Sequence, residues 1–151
     1  MSDTPLTVTA LDRILEVTTL LGDDMASALG DLGLTPSRTH LLWVVAQSGP
    51  STQRALADAL DVSPRNVTGL VDALVESGFV VREPHPEDRR AFLVSLTDKG
   101  EATCASLQEG QTTLAGQLFD DVDAEMLRTL VAGLDHVVAR LRTLLEEARH
   151  G

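Results

Sequence analysis

The side chains best suited to bind a nucleic acid lie at the start of a short helical pattern near residue 64. Ser63 is a good N-cap, and Pro64 suits the first helical position, where a missing N–H costs nothing. On the exposed face, Arg, Asn, Ser and Thr side chains can hydrogen-bond to base edges and phosphates in a major groove. The candidate contact residues are Ser63, Pro64, Arg65, Asn66 and Thr68. Arg65 is the best candidate for a bidentate guanine contact.

A second cationic group lies between two apolar stretches. Residues 79–82 and 92–96 have the aromatic and β-branched content of strands. The intervening stretch 83–90 contains two prolines. Because proline blocks strand continuation, this stretch predicts a protruding hairpin loop.

At the tip of that hairpin, Asp88 precedes Arg89 and Arg90. The carboxylate can hold one guanidinium by a charge-assisted hydrogen bond and aim the other outward. A cationic tip beside a DNA-binding helix suits a narrow minor groove, whose negative potential attracts arginine. The alternative is a structural salt bridge within the hairpin.

Two helices joined by a tight turn must position these groups. Ser51 or Thr52 can cap the first, and Asp61-Val62 makes the turn. The expected apolar face of the first helix consists of Ala55, Leu56, Ala59 and Leu60. That of the second consists of Val67, Leu70, Val71, Leu74 and Val75, with Gly78 as the left-handed residue that ends the helix. The candidates for contact with the DNA backbone are Thr52, Gln53 and Arg54. From the helices alone, a hairpin with a solvated polar face is an equally good interpretation.

The net charge of −11 argues against nucleic acid, since a DNA-binding domain usually has a basic patch. The net negative charge is, however, concentrated outside the candidate site. Residues 1–35 have one arginine and six carboxylates, whereas residues 51–92 have five arginines and seven carboxylates. Because few phosphates can be neutralised, we expect modest, salt-sensitive affinity.

The order of these elements resembles the winged helix of MarR-family transcriptional regulators. The specific signature is the Asp-Arg-Arg-Ala wing from Asp88, followed by Leu-Thr-x-x-Gly from Leu96 to Gly100. The resemblance implies that Arg90 enters the minor groove with Asp88 as its positioning partner, although Arg89 and Arg90 could exchange roles. It also implies a homodimer and, most often, a repressor. A two-fold protein would match a palindromic DNA operator with half-sites about one DNA turn apart.

The expected fold is mainly α with a small β-hairpin wing, an α+β winged helix-turn-helix joined to a helical dimerisation region. We assign residues 1–34 and 119–151 to dimerisation, 35–100 to the winged helix-turn-helix and 101–118 to a connecting helix, all in one compact domain. Thr35, Thr97 and Asp123 are the expected caps of the remaining helices. The apolar stripe of the last helix is wider than one monomer needs, which favours a second copy as its partner.

Three further residues have alternative interpretations. His40 and Trp43 could line a pocket for the small aromatic or phenolic ligand that the resemblance implies, or could be a surface histidine and a core tryptophan. Cys104 lies on an apolar stripe and is expected to be an inert core thiol. The peroxide-sensing cysteine near the N-terminus of some relatives has no counterpart here.

Other classes of function have little support. No phosphate-binding glycine loop, nucleophile elbow or paired carboxylates indicate an enzyme, and no histidine has a second ligand at metal spacing. We therefore expect no cofactor and no metal. The longest apolar run, 41–46, is too short to cross a membrane, and the acidic N-terminus does not resemble a signal peptide, so a cytoplasmic protein is expected. The remaining alternative is a winged-helix protein-interaction module without specific DNA binding.

Overall fold

The structure, a computed structural model, describes residues 4–151, so the first three residues of the predicted 1–34 region lie outside it. Its helices and strands follow the chain in this order: α1 Leu6–Asp31, α2 Pro36–Ser48, β1 Ser51–Thr52, α3 Gln53–Leu60, α4 Pro64–Glu76, β2 Val80–Pro84, β3 Phe92–Leu96, α5 Asp98–Phe119 and α6 Ala124–His150. The predicted class, mainly helical with a small antiparallel sheet, is confirmed.

The chain forms two compact units, of which the first ends at Ala105 and the second begins at Ser106. The sequence predicts one compact domain with a connecting helix at 101–118. In the structure α5 is continuous through that stretch, and the boundary between the units falls inside it.

Side-chain caps fix where four of the helices, α2, α3, α4 and α6, begin, as the sequence predicts. Thr35, Thr52, Ser63 and Asp123 each accept a hydrogen bond from the backbone N–H three residues later, at 2.7–3.3 Å. These bonds satisfy N–H groups that have no partner within the helix. Gly78, with φ 83°, follows the C-cap of α4 in the left-handed conformation that glycine adopts without strain.

The sheet has the order β1-β3-β2 and is antiparallel throughout. The predicted end of β2 at Arg82 is wrong, because the strand continues to Pro84, which pairs with Phe92. A proline is tolerated there because β2 is an edge strand. The sequence did not predict β1, whose two residues pair with Val94 and Leu93, because two residues are too few to show strand alternation.

Aliphatic and aromatic side chains from α2, α3, α4 and the sheet form the core of the first unit. The largest fully buried ones are Phe79, Leu41, Leu42, Leu56, Leu74, Val67, Val71, Val80 and Val94. The predicted apolar face of α3 is partly wrong: Ala57 is buried, whereas Ala55 and Ala59 are exposed. Because α3 has only eight residues, its two leucines determine which face packs on the core. Ala57 is next to Leu56 and is buried with it.

The second unit has a different character. Its long helix α6 contains no buried residue, although Met126, Leu134 and Leu141 belong to its apolar stripe. Helix α1 of the first unit is similar, since Leu29 is its one residue in the buried class. Apolar side chains along both helices are therefore exposed to solvent in the single chain.

Candidate nucleic-acid interface

The structure places the predicted contact residues on one face of α4. Val67, Val71 and Leu74 are buried against the core, while Arg65 and Asn66 at the N-terminal end are exposed. The buried positions repeat at spacings of four and three residues, so the polar residues between them must face outward. Ser63, Pro64 and Thr68 are exposed on the same helical end.

The hydroxyl of Thr68 already has two partners within the protein. It donates to the carbonyl oxygen of Pro64 at 2.9 Å and accepts from the amide nitrogen of Gln53 at 3.2 Å. Its methyl group is therefore the part of Thr68 suited to a base, through apolar contact with a thymine methyl.

Gln53 connects α3 to both neighbouring elements. Its amide Nε2 donates to Thr68 on α4, and its Oε1 accepts from Nε of Arg82 on β2 at 2.9 Å. The sequence predicts that Gln53 contacts the DNA backbone. One N–H of Nε2 and one lone pair of Oε1 are used within the protein, so Gln53 also has a positioning role in the free chain.

Arg82 was not among the residues predicted for the site, although it bonds to two of the site's helices. Its guanidinium donates to Gln53 and forms an ion pair with Asp72 on α4, and its side chain is 28% exposed. The wing strand is thus bonded to both helices of the helix-turn-helix. The available signal was a single arginine at the end of an apolar strand, with a carboxylate on the polar face of the preceding helix.

We expect Arg82→Ala to loosen the wing and to lower the free energy of unfolding by roughly 1–3 kcal/mol, since the bonds to a charged donor are lost and Gln53 is left with one partner. Urea denaturation measures the loss. Asp72→Asn is the matched control: this carboxylate is 61% exposed, and removal of its charge should change stability by less than about 1 kcal/mol. Equal stability of Arg82→Ala and the natural protein would contradict the positioning role.

The wing loop between β2 and β3 is closed by its own hydrogen bonds. The backbone N–H of His85 donates to the carbonyl oxygen of Ala91 at 3.1 Å, and the N–H of Ala91 donates to the carbonyl oxygen of Asp88 at 3.2 Å. Arg89 and Arg90 are exposed at the tip. The loop therefore presents both guanidinium groups on a short, internally bonded turn.

Asp88 positions Arg90 differently from the prediction. Its Oδ1 accepts the backbone N–H of Arg90 at 3.0 Å. No ion pair joins Asp88 to either wing arginine in the part of the chain that the structure describes. Asp88 thus fixes the backbone at Arg90 and leaves both arginine side chains directed by the turn itself.

A cleft of about 560 Å³ lies beside the N-terminal half of α4. Its lining residues are Ser37, Arg38, His40, Leu60, Val62, Arg65, Asn66, Gly69 and Leu70. Of the predicted pocket pair, His40 is exposed and lines this cleft, whereas the half-buried Trp43 does not. The cleft combines cationic groups with an apolar floor.

Cys104 is buried, as predicted, with Sγ 3.9 Å from the carbonyl oxygen of Leu42. Burial raises the pKa of the Cys104 thiol, because the apolar surroundings disfavour the thiolate. Among residues 4–151, no three His, Cys, Asp or Glu side chains converge in a way that could hold a metal ion. Within the same residues, no helix has the length and hydropathy needed to cross a bilayer.

The fold and the site together define a winged helix-turn-helix transcriptional regulator. The sequence pattern of the MarR family matches residues 34–92. YpoP of Bacillus subtilis, an uncharacterized HTH-type transcriptional regulator, is 30% identical over 101 residues, which is 67% of this chain and 72% of YpoP. The chain belongs to the MarR family, and it is a regulator rather than an enzyme.

Two further comparisons extend over nearly the whole chain. The HTH-type transcriptional repressor MdtR of Bacillus subtilis is 24% identical over 147 residues, covering 97% of this chain and 88% of MdtR. The crystal structure of a mutant MarR from E. coli complexed with operator DNA has a TM-score of 0.66 and 28% identity. It covers 90% of this chain and 99% of the E. coli chain. The resemblance predicted from the wing signature is therefore confirmed.

Proposed function

We propose that the protein is a homodimeric repressor that binds a palindromic operator. Each copy inserts the start of α4 into a major groove and the tip of its wing into the adjacent minor groove. The observation that most directly supports this proposal is the bonding of Arg82 to Gln53 and Asp72, because it fixes the wing strand relative to α4. Because α4 and the wing are already held in one geometry, they can enter neighbouring grooves without a further loss of conformational entropy.

Within this proposal, the exposed cations divide between the two grooves. Arg65 contacts a guanine edge, and Arg54 at the start of α3 contacts phosphate. Arg89 and Arg90 occupy the minor groove and its rim. The operator complex of the related E. coli MarR supports DNA as the partner, and the name of MdtR supports repression.

Exposed apolar side chains support the dimer. In α6, Met126 is 64% exposed and Leu141 53%, and in α1 Leu20 is 66% exposed. A helix of 27 residues with no buried residue leaves much of its apolar stripe exposed in a single chain. We assign that stripe, together with α1, to contact with a second copy.

The cleft beside α4 is our candidate for the effector site. Arg38 and His40 could pair with a phenolate or carboxylate, while Leu60 and Leu70 provide apolar contact for a ring. A small aromatic ligand bound there would lie against Arg65 and Asn66. It would favour dimers in which the α4 helices are wrongly spaced for the operator, and so shift the population away from DNA binding.

A footprint on the DNA flanking the protein's own coding region tests the proposal. We expect protection of an inverted repeat with half-sites about one helical turn apart, and a dimer in analytical ultracentrifugation. Affinity should fall steeply between about 50 mM and about 200 mM salt but remain sequence-specific. A monomer, or binding without sequence preference that disappears above the lowest salt concentration, would favour the protein-interaction module to which the net charge of −11 points.

A further inference from the structure

We propose that His85 is a proton-sensitive positioning residue of the wing: its neutral imidazole holds the loop in the shape that presents Arg90, and its protonation releases that shape. The proposal rests on DNA binding by the wing. It explains what fixes the loop residues that precede Arg90, since the contacts of Arg82 and Asp88 do not fix them.

The imidazole of His85 is an acceptor for two backbone donors. Its Nδ1 lies 3.1 Å from the backbone nitrogen of Glu87 and 3.2 Å from that of Asp88. Both groups donate N–H, so Nδ1 must present its lone pair, and the ring proton of the neutral form must be on Nε2. The side chain is half-buried, whereas residues 86–90 are exposed.

These two bonds lead directly to the arginine at the tip. His85 fixes the backbone of Asp88, and Asp88 in turn fixes the backbone N–H of Arg90 through Oδ1. Pro86, between the ring and its two donors, has no N–H of its own and a fixed φ. In addition to the two backbone bonds that close the loop, one imidazole and one carboxylate in series therefore hold the backbone between His85 and Arg90.

Protonation of this ring would convert the acceptor into a donor. An imidazolium has N–H at both nitrogens, so Nδ1–H would face the N–H groups of Glu87 and Asp88. Both bonds are lost, and two donors are left to water. Acidification would therefore release the loop.

The hairpin that contains His85 has six other charged residues. They are Arg82 and Glu83 on β2, and Glu87, Asp88, Arg89 and Arg90 on the loop; β3, which pairs with β2, has no titratable side chain. An added positive charge on the wing would by itself strengthen binding to phosphates. Loop release weakens binding instead, so the two effects of protonation have opposite signs.

Two variants separate the acceptor from the charge. His85→Asn retains a side-chain oxygen that can accept from N–H groups two and three residues later, as asparagine commonly does, and it does not titrate. His85→Ala removes the acceptor. At about pH 8 we expect His85→Ala to bind operator DNA about tenfold more weakly than the natural protein, and His85→Asn to bind within about threefold of it.

The pH profile provides the second readout. Between about pH 8 and pH 5.5, the natural protein should lose about tenfold in affinity relative to His85→Asn, which corrects for every other titrating group. Tighter binding of the natural protein in acid, relative to that control, would overturn the proposal. Equal affinity of His85→Ala and the natural protein at about pH 8 would also overturn it.

A measurement on the free protein tests the role of His85 independently of whether the protein binds DNA. In ¹⁵N spectra of the free protein near pH 8, we expect Nδ1 of His85 to be unprotonated and Nε2 to have the proton. The amide signals of Glu87 and Asp88 should shift in His85→Ala and change little in His85→Asn. A proton on Nδ1 would show that His85 does not hold the loop, even if the protein binds its operator. If the protein binds no DNA, the proposed function fails, and the ring and amide signals still decide the role of His85 in the loop.

Discussion

Gly100→Ala is expected to destabilise the winged unit by about 3 kcal/mol or more, near the upper limit for overpacking of a well-ordered core. A Cβ at this position would lie 2.1 Å from the carbonyl oxygen of Phe79 and 3.2 Å from its carbonyl carbon. Both are backbone atoms. The Phe79 oxygen also accepts from the backbone N–H of Thr97 at 3.0 Å, so it cannot move aside without breaking that bond. Urea denaturation followed by circular dichroism measures the loss.

Gly110→Ala is the matched control on the same helix. A Cβ there meets nothing within 4 Å, so the substitution should stabilise α5 by roughly 0.5–1 kcal/mol through helix propensity alone. The two variants make the same chemical change and should shift the urea midpoint in opposite directions. A Gly100→Ala protein as stable as Gly110→Ala would show that α5 can move away from Phe79.

The Leu-Thr-x-x-Gly signature could be identified from the sequence, but its physical reason could not. Thr97 was predicted as a cap, and its hydroxyl does accept the N–H of Gly100 at 3.1 Å. The same hydroxyl also donates toward the carbonyl oxygen of Gly78 at 2.6 Å, which ties the start of α5 to the end of α4. Local capping was predictable because it depends on neighbours in sequence. The close approach of Gly100 to Phe79 depends on how α5 meets the sheet.

The same distinction applies at the candidate site. Ser63, Gly78 and the exposed face of α4 followed from spacing alone. The bonds of Gln53 to Thr68 and Arg82 could not be predicted, because these partners lie 15 and 29 residues away and no local pattern reveals them. The bond from Asp88 to Arg90 is local, but it is made to the backbone N–H rather than to a guanidinium.

The largest loss of DNA affinity is expected for a substitution in the wing. Arg90→Ala should weaken operator binding roughly tenfold to a hundredfold, because this arginine extends from the backbone position that Asp88 holds at 3.0 Å. A side chain on a fixed backbone loses less freedom when it enters the minor groove. Fluorescence anisotropy with an operator duplex at fixed salt measures the change, and the urea midpoint should be that of the natural protein.

Arg89→Ala is the matched comparison at the same tip. If Arg89 contacts phosphate, its loss should weaken binding about equally for operator and unrelated DNA, and should lower the dependence of affinity on salt by about one charge. Arg90→Ala should instead reduce the preference for operator over unrelated DNA, because the minor groove differs in width with sequence. Arg89→Ala removes the same charge as Arg90→Ala, so the comparison between them also controls for net charge. Full operator affinity of Arg90→Ala would show that the wing does not contact DNA. If Arg89→Ala instead loses more of the preference for operator over unrelated DNA, Arg89 is the arginine that enters the minor groove.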